Sequence, residues 1–279
     1  MTGGTPARAR TATLVTVGPP DRLAQAIDVL ASVDQAGSLR HVLLATAAAS
    51  LPSASALQDV TVIEQIRPQY LNNAIAAHRL SSLPTVIWWL GGPPGDLDGA
   101  AALADRLILD VDDPFALWPR VPPLFGRTAV TDIRWARLTP WRAAMAQMFD
   151  VPRVREGFPG FERLSLAGSD PGQCALFGGW LDAALNWDGR VRFDVRNGAA
   201  QPLAAVELVG PSVELRLTLL SNGVCLSTEA RDGGQVLASR VVSLGNLQPS
   251  AVLSEELRIR SRDVAFERAL ERSHKIPPA

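Results

Sequence analysis

TLVTVGPPDRLAQAIDVLASVDQAGSLRHVLLAT, residues 13–46, is the stretch from which the fold is read. Thr13–Val17 is a short β-branched run that stops at Gly18-Pro19-Pro20. Between Asp21 and Asp34, residues Leu23, Ala26, Ile27 and Leu30 recur at the spacing of one helix face, and Gly37 closes the segment. His41–Thr46 is apolar again, and the same rhythm continues outward. Val60–Ile66 is a third run, and Gln69–Ser81 a helix with Leu71, Ile75 and Leu80 on one side. Pro84–Leu90 is a fourth strand, cut off by Gly91-Gly92-Pro93-Pro94. A short helix, Leu97–Ala104, precedes a fifth strand, Arg106–Val111. Strands that are apolar throughout are buried on both faces. The pattern predicts an α/β domain over residues 12–130, with a mostly parallel sheet flanked by helices. Residues 1–11 are small and polar, with proline and glycine, and read as a disordered leader.

Farther along, residues 114–132 are irregular, with Pro119, Pro122, Pro123 and Gly126. Thr139-Pro140-Trp141 predicts a helix start, with threonine as N-cap and proline at the first helical position. That helix carries Met145, Met148 and Phe149 and ends near Asp150. Residues 131–150 belong to either half or connect the two. Residues 151–279 predict an α+β domain, an antiparallel meander covered by helices. Its elements are a strand at Glu162–Leu166, a helix at Gln173–Asn186 and strand-like runs at Arg190–Val195 and Ala204–Leu208. Val213–Leu220, Val224–Glu229 and Val236–Val242 follow. Val213–Leu219 alternates strictly, as a half-exposed antiparallel strand does. Ser221-Asn222-Gly223 signals a hairpin turn. One charged amphipathic helix over Ser250–Arg272 is expected to close the domain.

The 279 residues are 47% apolar and 20% charged, with a formal net charge of −1. That length builds one large domain or two modest ones. Lys275 is the only lysine and Tyr70 the only tyrosine, with two cysteines and three histidines. A lysine Schiff base or a P-loop lysine therefore has no candidate before the C-terminal tail. A four-cysteine zinc site is arithmetically impossible. The near-zero charge points away from nucleic acid and from anionic membrane as partners. Leu14–Val17 is far too short for a signal-peptide core, and no stretch approaches the roughly 18 apolar residues of a spanning helix. The cytoplasm is the expected location, where Cys174 and Cys225 are expected to be reduced structural thiols.

Catalytic motifs are mostly absent. No GxGxxG follows the first strand, and Ser169 lacks the first glycine of a GxSxG elbow. His41, His78 and His274 show no metal-binding spacing. No catalytic, cofactor or metal site is assigned. Asp110-Val111-Asp112-Asp113 offers carboxylates for a divalent ion. A strand end at Asp110, and a cap from Asp112 or Asp113 on a turn at Pro114, explains them more simply. Gly91-Gly92-Pro93-Pro94-Gly95 lies where open α/β sheets bind ligands, but two prolines remove donors that a phosphate cradle needs. Five of the seven tryptophans are Trp88, Trp89, Trp118, Trp135 and Trp141. Adjacent Trp88 and Trp89 point to opposite faces of their strand, so both faces are expected to be covered. Arg127, Arg134, Arg137 and Arg142 surround the last two. Tryptophan with arginine is the composition of protein interfaces. It equally suits packing of the two halves, with arginines stacked on rings.

LPTVIWWLGGPP (residues 83–94) and LADRLILD (103–110) resemble the "PvvlWWpgdpP" and "lADRlivD" segments of the glucose-6-phosphate dehydrogenase assembly protein family, OpcA. TDIRWARLTPWR (131–142) is similar, more closely still, to that family's "DLnWaRLtPWR". The resemblance runs in order from about residue 84 to 150, and more weakly through His78 and the Trp180–Trp187 helix. It implies a non-catalytic effector, without cofactor, that binds glucose-6-phosphate dehydrogenase and promotes its assembly or allosteric activation. Such an effector supports NADPH production in the oxidative pentose phosphate pathway. Contacts with that partner are expected at Arg134, Trp135, Arg137, Trp141 and Arg142. In some members cysteines link the effect to thioredoxin; neither Cys174 nor Cys225 matches such a switch. The alternative is a sugar-phosphate-binding enzyme or sensor that grips phosphate with Arg127, Arg134, Arg137 or Arg142.

Overall fold

The computed structural model describes residues 9–48 and 50–276. Residues 1–8 of the expected leader lie outside the described residues, and Thr11 already donates its N–H to the Ser38 carbonyl at 2.8 Å. The chain divides into two compact units, Met1–Ile133 with Gln248–Asp263, and Arg134–Leu247 with Val264–Ala279.

The first unit runs β1 (Ala12–Gly18), α1 (Pro20–Val33), β2 (Leu39–Ala45), β3 (Val60–Ile63), α2 (Pro68–His78) and β4 (Thr85–Trp89). It continues with α3 (Leu97–Ala102), β5 (Arg106–Leu109), α4 (Pro114–Leu117) and β6 (Ala129–Asp132). The six strands lie in the order β3-β2-β1-β4-β5-β6, and every neighbouring pair is parallel. The apolar stripe of α1 is buried at Leu23, Ala26, Ile27 and Leu30. Asp34, just past that helix, accepts from Ser38 N at 2.7 Å and Leu39 N at 3.1 Å, and its Oδ2 lies 3.0 Å from His41 Nε2. One carboxylate thus ties the helix end to the start of β2. Trp88 and Trp89 are both buried, so both faces of β4 are covered as expected. β6 departs from the irregular stretch expected there. Ala-Val-Thr-Asp is too short and too polar to stand out from proline-rich surroundings, yet all four residues are buried.

The second unit contains most of α5 (Ile133–Arg137), then α6 (Thr139–Met148), α7 (Pro152–Gly157), β7 (Arg163–Ala167) and α8 (Pro171–Leu185). Strands β8 (Arg192–Arg196), β9 (Ala205–Val209), β10 (Val213–Leu219), β11 (Cys225–Asp232) and β12 (Gln235–Ser243) follow. Their order is β12-β11-β10-β9-β7-β8, antiparallel except for β8 beside β7. Thr139 does not cap α6. Leu138 precedes it with φ −80° and ψ −7°, so the chain turns from α5 into α6 without the extended residue that a side-chain cap needs. Asp170 does cap α8, accepting from Gln173 N at 3.2 Å, with Pro171 in the first turn. Within α8, Asp182 is fully buried and paired with Lys275 Nζ at 2.9 Å and Arg272 Nη1 at 3.4 Å.

The single helix expected over Ser250–Arg272 is two. α9 (Pro249–Arg258) belongs to the first unit and α10 (Val264–Ser273) to the second. Ile259 is extended, and Ser261 and Asp263 are side chains that compete for backbone hydrogen bonds. Among the described residues no helix is long and apolar enough to cross a membrane.

In the first unit, Arg106 of β5 pairs with Glu256 of α9, both side chains almost wholly buried. Burial pushes the Glu256 carboxyl above the ordinary carboxylate range, and the Arg106 charge opposes the shift. Glu256→Ala would strand a buried cation and is expected to lower stability by about 3–5 kcal/mol. The double replacement Arg106→Met with Glu256→Leu is expected to recover most of that loss in urea unfolding. A double variant as unstable as the single one would contradict this account.

Candidate functional site

In a sheet of this strand order, ligands bind outside the carboxyl ends of the strands, where the order reverses between β1 and β4. At that place the strands continue their pairing past the end of β1. Leu90 N donates to Val17 O at 2.8 Å, and Thr46 N to Gly18 O at 3.1 Å. A Cβ at Gly18 would stand 2.8 Å from the Leu90 Cβ, so the glycine is needed for contact with Leu90. Pro19 and Pro20 open α1 without N–H groups, and Asp21 adds a negative charge in its first turn. Neither β2 nor Thr46 supplies a carboxylate for a ribose. A dinucleotide, the group that this strand order commonly holds, does not fit these residues.

Arg22 of α1 reaches toward the end of β5. It donates to the Asp110 carbonyl at 2.8 Å and pairs with the carboxylates of Asp110 and Asp112. Trp88 Nε1 donates to Asp110 Oδ2 at 3.2 Å. Asp113 caps α4, accepting from Phe115 N at 3.0 Å and Ala116 N at 3.3 Å. The aspartates at 110–113 are thus engaged by a guanidinium, an indole and a helix start. Among the described residues no group of three or more His, Cys, Asp or Glu side chains is placed to hold a metal ion.

The Trp/Arg segment forms β6, α5 and α6. Trp118 Nε1 donates to Asp132 Oδ2 at 3.0 Å within the first unit. In the second, Arg134 Nε lies 3.1 Å from each oxygen of Asp170, the residue that caps α8. Trp135 is buried, its ring 5.9 Å from that of Phe266 in α10. The Arg142 guanidinium stacks on the Trp135 ring, 3.6 Å from its centre, and donates to Thr139 Oγ1 at 3.1 Å. Trp141 is buried on the face of α6 that also carries Ala144, Met145 and Met148. Of the five predicted contact residues, the fold brings Arg134, Trp135 and Arg142 into one stack, buries Trp141, and leaves Arg137 half-buried. Arg127 is in the first unit and donates to the Pro123 carbonyl at 3.2 Å. With Arg134 committed to a carboxylate and Arg142 to a ring, nothing favours a phosphate grip by this set. Sequence reasoning missed Asp170 and Phe266. The Asp-Pro start of α8 is a readable cap signal for Asp170, whereas nothing local marks Phe266 as a ring partner.

Cys174 and Cys225 are both free thiols. Cys174 is buried in α8, and burial, with the Asp170 charge nearby, pushes its thiol up to about 12. His41 is buried against Asp34, and His274 Nδ1 lies 2.7 Å from the Glu271 carbonyl.

Residues 128–270, just over half of the chain, match the family described as the C-terminal domain of a glucose-6-phosphate dehydrogenase subunit. The chain is 25% identical over 244 residues to the OxPP cycle protein OpcA of Nostoc punctiforme, covering 72% of this chain and 52% of that protein. Against the protein of the same description from Synechocystis sp. it is 23% identical over 243 residues, 72% of this chain and 51% of that one. The chain thus spans about half the length of the curated relatives it matches. Among solved structures, it resembles an aldose-aldose oxidoreductase of Caulobacter crescentus in complex with glycerol. The TM-score is 0.51 at 9% identity, over 94% of this chain and 95% of that one. The UDP-N-acetylglucosamine 3-dehydrogenase GnnA of Acidithiobacillus ferrooxidans gives 0.50 at 10%, over 95% and 96%. At such identities the likeness is one of fold.

Two outcomes are expected. Titration with NADP+ should give neither heat nor a rise in Tm; a saturable heat would contradict the poor fit. A thiol reagent at pH 8 should leave Cys174 unmodified until the protein unfolds, because its folded pKa of about 12 keeps it protonated there. Rapid native labelling of Cys174, read by mass spectrometry, would contradict the burial.

Proposed function

Because the chain belongs to the OpcA family, the glucose-6-phosphate dehydrogenase assembly proteins, we propose that it is a non-catalytic effector of glucose-6-phosphate dehydrogenase. It binds that enzyme, favours its assembled and active state, and so supports NADPH production in the oxidative pentose phosphate pathway, in the cytoplasm. The observation that carries this reading is the family match over residues 128–270, which contains the whole of α5 and α6. The poor fit of the strand-end residues to a dinucleotide accords with it, since such a chain acts through another enzyme's chemistry. The effect requires no more than tighter binding to the active state than to the inactive one.

Within the segment, Arg134, Trp135 and Trp141 form the support, and Arg137 and Arg142 keep part of their surface exposed. Those two arginines are the proposed contacts, held in place by the buried rings beneath them.

Gel filtration of this chain mixed with its cognate dehydrogenase is expected to show a complex, and the dehydrogenase's substrate response should shift on addition. No complex together with unchanged kinetics would sink the proposal. Arg137→Glu is expected to weaken the complex about tenfold or more, while leaving the chain's own unfolding transition in place.

A further inference from the structure

The second sheet is covered by helices on one face. α8 approaches Leu166, where a Cβ at Gly178 would stand 3.3 Å from the Leu166 Cδ1. Met148 and Ala144 of α6 share a cavity with Thr228 and Ala230. Arg153 of α7 pairs at 2.6 Å with Asp232, in register with buried Val213. Strand alternation puts Arg163, Ser165 and Ala167 of β7 on the other face. The register sets Arg163 beside Arg192 of β8, and Ser165 between Asp194 of β8 and Glu207 of β9; Arg216 of β10 lies beside Glu207.

Two features of this face are left unsatisfied by the chain itself. Arg163 and Arg192 are exposed cross-strand neighbours of like charge, an arrangement that destabilises a sheet. Neither makes a side-chain hydrogen bond or an ion pair among the described residues. Asp194, the carboxylate of β8 on this face, is hydrogen-bonded by Arg196 at 2.8 and 3.1 Å and attracts them only at longer range. Second, Ser165 is 7% exposed, and among the described residues its Oγ has no hydrogen-bond partner. A buried hydroxyl without a partner within the chain gains from one supplied by water or by a ligand. Ser165 lies in a cavity of about 230 Å³, with Ala167, Ala205, Arg196, Glu207 and Arg216 around it. Pockets for drug-sized ligands run to roughly 300–1,000 Å³, so this one suits a smaller molecule.

On this face Arg163, Arg192, Arg196, Arg216 and Arg231 stand among Asp194, Glu207, Glu214 and Glu229, with Arg216 paired to Glu207, Arg196 to Asp194 and Arg231 to Glu229. The guanidinium groups of this face without an ion pair among the described residues are Arg163 and Arg192, two residues along β7, about 7 Å, from the unpaired hydroxyl. An anion between those two arginines would turn their repulsion into charge-assisted hydrogen bonds, for which a phosphate offers the matching oxygens. Ser165 and Glu207 then face the part of the ligand that carries hydroxyl groups, and the small Ala167 and Ala205 side chains leave room for it. We propose that this face binds a small phosphorylated polyol, its phosphate between Arg163 and Arg192 and its hydroxyl-bearing chain over Ser165 and Glu207. The site is separate from the Trp/Arg segment and does not rest on the dehydrogenase reading.

Calorimetric titration of the full chain with sorbitol 6-phosphate, sorbitol and inorganic phosphate tests this. Sorbitol 6-phosphate is expected to bind, inorganic phosphate at least about tenfold more weakly, and sorbitol not measurably. Arg163→Ser with Arg192→Ser should reduce affinity for sorbitol 6-phosphate by about tenfold or more, and Ser165→Ala by about threefold. Without ligand, the double variant should melt at or above the wild-type temperature, because the like-charge pair is gone. Arg163→Lys with Arg192→Lys, which keeps the charge, should retain part of the affinity. No binding of sorbitol 6-phosphate, equal binding of inorganic phosphate, or unchanged affinity in the serine double variant would overturn the proposal.

Discussion

A carboxylate taken out of water has to be paired, and in this chain arginine does most of the pairing. Arg106 meets Glu256, Arg134 meets Asp170, Arg22 meets Asp110, and Arg272 shares Asp182 with the one lysine. Each pair joins elements far apart in sequence: β5 to α9, α5 to the start of α8, α1 to the end of β5, and the end of α10 with Lys275 to the last turn of α8. The forked guanidinium suits this work, since it satisfies two acceptors at once and does not give up its proton when buried. An arginine-rich, lysine-poor composition is therefore in part a structural fact.

The strand ends of the first sheet show the same economy. Its strand order is one that elsewhere seats a dinucleotide at the carboxyl ends of the strands. Here Leu90 packs on Gly18, two prolines without N–H groups head α1, and Arg22 bridges to the end of β5, none of which suits a pyrophosphate. A fold shared with oxidoreductases thus carries no inference of their chemistry, because chemistry resides in the site rather than in the strand order.

Residues 131–142 show how a motif can be legible in composition and opaque in role. Their tryptophans and arginines mark the segment plainly, and they support two readings, surface contact or internal packing. The structure gives each residue a separate task. Arg134 holds a helix cap, Trp135 meets Phe266, Arg142 lies on Trp135, and of the three arginines it is Arg137 and Arg142 that keep exposed area. Thr139 resembles an N-cap because threonine before proline commonly is one; the chain instead enters α6 directly from α5. Ser250–Arg272 reads as one helix because its charges and apolar residues sustain a helical period, whereas the break at 259–263 depends on where each half is buried.

What the sequence determined by itself was local: the alternation of apolar runs and helical stripes, the turns set by glycine and proline, and hence an α/β unit followed by an α+β one. These follow from spacing within a dozen residues, which backbone geometry reads directly. Only the tertiary structure decided the strand order, the approach of Leu90 to Gly18, the Arg134–Asp170 and Arg106–Glu256 pairs, and the meeting of Arg163 with Arg192 beside Ser165. Each joins residues whose separation along the chain carries no periodic signal. Which of them meet is settled by how the buried faces and charges of the whole chain are satisfied together.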